Sequence, residues 1–172
     1  MSFFWSFLFL FASLVSPHAS PCDTAPEARQ LDFWLGTWEL TWPGGQGGTP
    51  EGETGRGTNT ITKMLGGCVV HERFASESGF EGASVSVYHP RSGEWRQTWV
   101  DNQGGYLLFT GGLTDEGMVL RTAPFTNGQG ERQISRMTWR NVTADALDWH
   151  WQRSTDDGAT WTDQWVIRYT RR

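Results

Sequence analysis

The carboxylate with the most unusual surroundings is Glu72, in GGCVVHERF, where strand parity sets it on one face with Val70 and Phe74. An acid among apolar neighbours is costly to leave unpaired. Two chemistries therefore stay open for it. Glu72 is a ligand anchor or a general acid with a raised pKa, or it is half of an internal ion pair with Arg153 or Arg136. Asp101 is a second candidate proton carrier. The histidines of the body are His71, His89 and His150. Parity sets His71 opposite Glu72 and His150 opposite Trp149 and Trp151. No two histidines share a short strand and H-E-x-x-H is absent, so no metal site is expected. There is no G-x-S-x-G elbow, phosphate loop or dinucleotide fingerprint, so no nucleophile or cofactor is expected, and catalysis stays open as an alternative.

Tryptophan supplies the other candidate chemistry. Trp95, Gln97, Trp99 and Asp101 share one face of a strand at 94–101. Leu147, Trp149, Trp151 and Arg153 share a face at 146–153, Trp161, Asp163, Trp165 and Tyr169 at 161–169, and Met137 and Trp139 at 133–139. A solid core would hold Val, Ile and Leu, whereas a ligand cavity is aromatic with a few polar groups. The candidate binding residues are accordingly Trp99, Trp139 and Trp151 as walls, with Glu72, Gln97 and Arg153 as polar fixers. The competing expectation is that the tryptophans fill a small barrel or cover its outside, leaving a surface interaction module.

The elements that must position these residues are short strands. Alternating runs occur at 37–42, 56–65, 67–76, 83–89, 94–101, 105–112, 117–122, 132–142, 146–153 and 161–171. They are separated by turn-forming segments such as PGGQGG, DNQGG and FTNGQG. This predicts an all-β domain, an antiparallel up-and-down meander closed into a roughly ten-stranded barrel, since closure removes exposed edges. One short helix is predicted near 25–34.

At this point a resemblance enters. Gly36-Thr37-Trp38, in LDFWLGTWEL, resembles the G-x-W signature of the calycin superfamily, which includes lipocalins, fatty-acid-binding proteins and nitrobindins. The longer set FWLGTW, GGCVVHE, GASVSVYHP, GEWRQTWVDN and STDDGATW is similar to a mostly bacterial family of unknown function with a calycin-like barrel, over about residues 30–172. The resemblance implies the barrel, an acid at the place of Glu72, and a tryptophan (Trp38) closing one end under an arginine, here Arg168 or Arg171. It implies no established activity. Nitrobindin-like relatives would imply haem on a proximal histidine, listed here as an alternative; the expected cofactor is none. The Arg/Tyr clamp of fatty-acid-binding proteins is not matched, because Arg168 and Tyr169 are adjacent. STDDGATW also fits the Asp-box of sialidases, a structural turn in which Asp156, Gly158 and Trp161 staple a hairpin.

Composition bounds the rest. The chain has 172 residues and a net charge of −5, which argues against a nucleic-acid partner. Residues 1–20 read as an export signal too short to span a bilayer, 21–30 as an extension and 31–172 as the barrel domain. The mature chain is then expected to be periplasmic or secreted, without stable membrane insertion. Five of the ten Phe but only one of the eleven Trp fall in that signal. Cys22 and Cys68 are a candidate disulfide, the alternative being a buried, reduced Cys68. The leading expectation is an exported barrel binding a small, largely apolar or aromatic molecule.

Overall fold

The computed structural model describes Cys22 and residues 25–172. The segment read as an export signal lies outside the described residues, as does most of 21–24. Two single-turn 3-10 helices, Pro26–Arg29 and Asp32–Trp34, stand where one short helix was expected. The strands are β1 (Gly36–Pro43), β2 (Thr54–Met64), β3 (Val69–Ser76), β4 (Glu81–His89), β5 (Glu94–Asp101), β6 (Tyr106–Thr114), β7 (Gly117–Arg121), β8 (Phe125–Thr126), β9 (Arg132–Arg140), β10 (Ala146–Ser154) and β11 (Thr162–Arg171).

All the strands pair antiparallel, consecutive ones with each other except that β7 skips β8, a two-residue ribbon on the edge of β9. β7 pairs with β9, β9 with β10, β10 with β11 and β11 with β1, which closes a ten-stranded barrel. The ten runs read from alternation match these strands within two residues at each end. The two-residue β8 falls inside a turn composition and has no periodicity to detect.

Alternation accounts for the inner face. Trp38, Leu40 and Trp42 of β1 and Val70, Glu72 and Phe74 of β3 are buried, with exposed or half-buried residues between them. β4 inverts the usual polarity: Ser84 and Ser86 are buried while Val85 and Val87 are exposed. Room for the inward indoles decides this. A Cβ at Gly82, also on β4, would collide with the Trp99 ring, so only small residues fit beneath the aromatic wall of β5.

The two ends of the barrel differ. One end is sealed by the 3-10 segment, with Leu31 and Trp34 fully buried. Trp34 meets Trp139 edge to face at 5.1 Å, and Trp38 Nε1 donates to the Trp34 carbonyl at 2.8 Å. The Arg171 guanidinium lies 4.1 Å from the Trp38 ring centre and donates to the Leu35 and Ala144 carbonyls. Arg171 is therefore the covering arginine; Arg168 points outward and pairs with Asp148. A disulfide joins Cys22 to Cys68 in the β2–β3 turn at this end, with Cα atoms 4.9 Å apart. At the opposite end Phe80, Trp99, Leu107, Trp149, Trp151 and Trp165 are only partly buried. That burial gradient marks the mouth.

The Asp-box sequence forms its hairpin beside the mouth. Asp156 accepts from Ser154, from the Thr160 amide and from the Thr160 hydroxyl, bonds that hold its carboxyl down at about 2. Asp157 and Gly158 both adopt positive φ to make the turn. Trp161 donates to the Gly158 carbonyl and lies under the Arg136 guanidinium, 4.2 Å from the ring centre. Arg136 in turn donates to Gln152 on the outer face.

Candidate functional site

Between the sealed end and the mouth lies a cavity of about 220 Å³. Its walls come from alternate inward positions of β3, β5, β6, β9, β10 and β11. Trp99, Leu107, Trp149, Trp151 and Trp165 stand toward the mouth, with Phe74 and Phe80 beside them. Phe109, Met137 and Ile167 lie deeper and are buried. The rings brace one another. Trp149 and Trp151 are nearly parallel with centres 6.3 Å apart, and Trp165 meets both Trp149 and Phe74 edge to face.

Polar groups sit at the floor. Glu72 is 6% exposed, accepting from Asn59 Nδ2 at 2.7 Å and from Ser84 Oγ at 2.6 Å. Asn59 Nδ2 also donates to the Tyr169 hydroxyl at 3.0 Å. Burial pushes the Glu72 carboxyl up to about 7, against the lowering effect of the Ser84 and Asn59 bonds. Burial, with the Glu72 charge beside it, also raises the Tyr169 phenol above its ordinary range. Gln97 is 2% exposed and anchored by donation from Nε2 to Ser86 Oγ at 2.9 Å, while its Oε1 meets no donor among the described residues. A buried acceptor left without a donor is uncommon and marks a place that a partner can satisfy.

Four of the six residues read as a binding set line this cavity: Glu72, Gln97, Trp99 and Trp151. Two do not. Trp139 faces inward but at the sealed end, against Trp34 and Phe33, because parity fixes a residue's face and not its height along the barrel. Arg153 is exposed and does not line the cavity; it is the penultimate residue of β10, where the inner face runs out into solvent. The expected Glu72–arginine pair is also corrected. The hydrogen-bond partners of Glu72 are Asn59 and Ser84, and Arg136 is held on the outer face by Gln152, Glu116 and Trp161.

Asn59, Ser84 and Ser86 escaped the sequence reading because inward polar residues break the apolar-in rule. Their signal is cross-strand register: Glu72 pairs with Ser84, and Ser86 with Gln97. Asp101 lines the cavity but is a turn acceptor for the Gly105 and Gln103 amides and the Trp99 indole. Against the cost of burial, those bonds hold its carboxyl below the ordinary range, so it stays ionised rather than carrying a proton.

None of His71, His89 and His150 lines the cavity. His150 is turned outward to Asp163, so the imidazole that a haem would need is absent from the wall. Among the described residues, no three His, Cys, Asp or Glu converge as metal ligands, and no helix is long and apolar enough to cross a membrane. Residues 23–171 match the family described as a protein of unknown function, DUF1579, and the chain belongs to that family. No curated protein matches it.

Proposed function

We propose that this member of the family is a calycin-like barrel that binds a small, largely apolar or aromatic molecule in its open-ended cavity, in an oxidising compartment outside the cytosol. The observation that carries the reading is the cavity itself, with indole walls above and, on a residue that lines it, a buried acceptor without a donor, Gln97 Oε1. A barrel whose tryptophans simply filled its interior would leave no such space. At about 220 Å³ it is smaller than the roughly 300–1,000 Å³ of drug-sized sites, so the occupant is a single ring or a short chain. The Gly36-Thr37-Trp38 signature and the Arg171 cover support the calycin-like assignment. The Cys22–Cys68 bridge supports the compartment, because disulfides persist where thiols are oxidised.

The test is titration of intrinsic tryptophan fluorescence with single-ring aromatics and short aliphatics. Saturable quenching is expected, weakened about tenfold in Trp151→Ala, the loss of roughly 1.4 kcal/mol of wall contact. Trp139→Phe should lower stability and leave the affinity unchanged. Absence of a saturable response to every probe sinks the reading. A second reading, an enzyme using Glu72 as acid or base, draws on the carboxyl raised to about 7, where proton exchange is possible at neutral pH.

A further inference from the structure

The cavity wall carries acceptors and no cation. Among the described residues that line it there is no Lys, Arg or His, although it contains the buried Glu72 and, nearer the mouth, Asp101. A buried carboxylate ordinarily has a basic partner or two, and those of Glu72 are a neutral amide and a hydroxyl. Each Glu72 oxygen accepts one hydrogen bond from the protein, and a carboxylate oxygen can accept two. Gln97 Oε1 has both lone pairs free of protein donors. The same cavity is lined by four indoles, Trp99, Trp149, Trp151 and Trp165. Indoles are the side chains that attract cations best.

We infer that the occupant is an organic ammonium ion on a small aromatic or alicyclic skeleton, its N–H groups donated to Glu72 and Gln97 and its carbon frame held among the indoles. This deepens, and rests on, the reading of the cavity as a small-molecule site. An ammonium ion supplies the countercharge that Glu72 lacks and the donor that Gln97 lacks. A neutral alcohol supplies only the donor. A carboxylate ligand meets no basic side chain and faces Glu72 and Asp101. The ionised Asp101 near the mouth, on a chain of net charge −5, also favours the approach of cations over anions.

The groups facing Glu72 are Asn59 and Ile61 on β2, Ser84 on β4 and Tyr169 on β11. Tyr169 is the only titratable one, and its phenol stays neutral throughout the working range. The pH dependence of cation binding therefore belongs to Glu72.

Calorimetry on the full chain with three probes of one shape, 2-phenylethylammonium, 2-phenylethanol and phenylacetate, decides the matter. At pH 8 the ammonium should bind at least about tenfold tighter than the alcohol, and phenylacetate weakest, tenfold being roughly 1.4 kcal/mol. Glu72→Gln should erase the ammonium's advantage over the alcohol, the ammonium losing at least about tenfold more affinity than the alcohol does. The native protein provides a check that needs no variant. As pH falls from 8 to 5.5 and Glu72 takes up its proton, ammonium affinity should drop at least about tenfold while alcohol affinity stays level. An alcohol that binds as tightly as the ammonium, or an ammonium affinity flat with pH, overturns the inference and leaves the binding site standing. If no probe binds, the inference and the reading beneath it fall together.

Discussion

Glu72 is a carboxyl that the fold prefers protonated. Its folded pKa is raised from 4.5 to about 7, so between those values the native state binds the proton that the unfolded chain has released. Stability from this group is fully present below the unfolded pKa and is lost as pH rises toward 7. Between pH 5 and pH 8 the loss is about 2–3 kcal/mol. Glu72→Gln keeps an acceptor oxygen for Asn59 and turns an amide N–H to the Ser84 hydroxyl, which can accept it, without a charge. Urea melts of the two proteins across that range should show the native protein weakening relative to the variant by this amount as pH rises; parallel curves would contradict the assignment. The position of Glu72 among apolar neighbours was legible from Val70 and Phe74 on either side. Its actual partners were not. Asn59 and Ser84 sit on two other strands, and no pattern within β3 reports what faces it across the ladder.

Strands carried most of the legible information, since a period of two needs no tertiary knowledge. It placed Gln97, Trp99 and Trp151 on the inner face correctly. It failed where the barrel adds a second coordinate. Trp139 and Trp151 share an inward direction, yet one belongs to the sealed end and the other to the cavity; only the axial position separates them. Arg153 shows the same limit at a strand end. β4, with serines inside and valines outside, shows that the bulk of Trp99 overrides hydrophobicity when space is the scarcer quantity. The first residue of β1 is constrained just as tightly. Gly36 has φ of +127°, and a Cβ there would collide with Arg171 Nη1. Gly36→Ala should cost about 1–3 kcal/mol in chemical denaturation through backbone strain and displacement of Arg171 from Trp38. A neutral result would mean that Arg171 moves aside freely and is not a latch.

At the scale of the whole molecule, the seal and the mouth of the cavity lie at opposite ends. The 3-10 segment, Trp34, Trp38, Trp139 and Arg171 close one end, and the Cys22–Cys68 bridge ties the N-terminal stretch there. The bridge joins residues 46 apart in sequence, and loop-closure entropy gives it about 4 kcal/mol. Reduction with dithiothreitol should lower the unfolding free energy by an amount approaching this. Ligand affinity should change little, since the cavity opens at the far end; equal stability with and without reductant would refute the estimate. The pairing of β1 with β11 sets the order of events in time. Trp38 sits opposite Arg171, so β1 waits for β11, and the sheet keeps two open edges until those two strands pair. Contacts so distant in sequence demand loop closure before they return any stabilisation, which makes such domains slow to form. A barrel built this way closes only once β11 has joined β1.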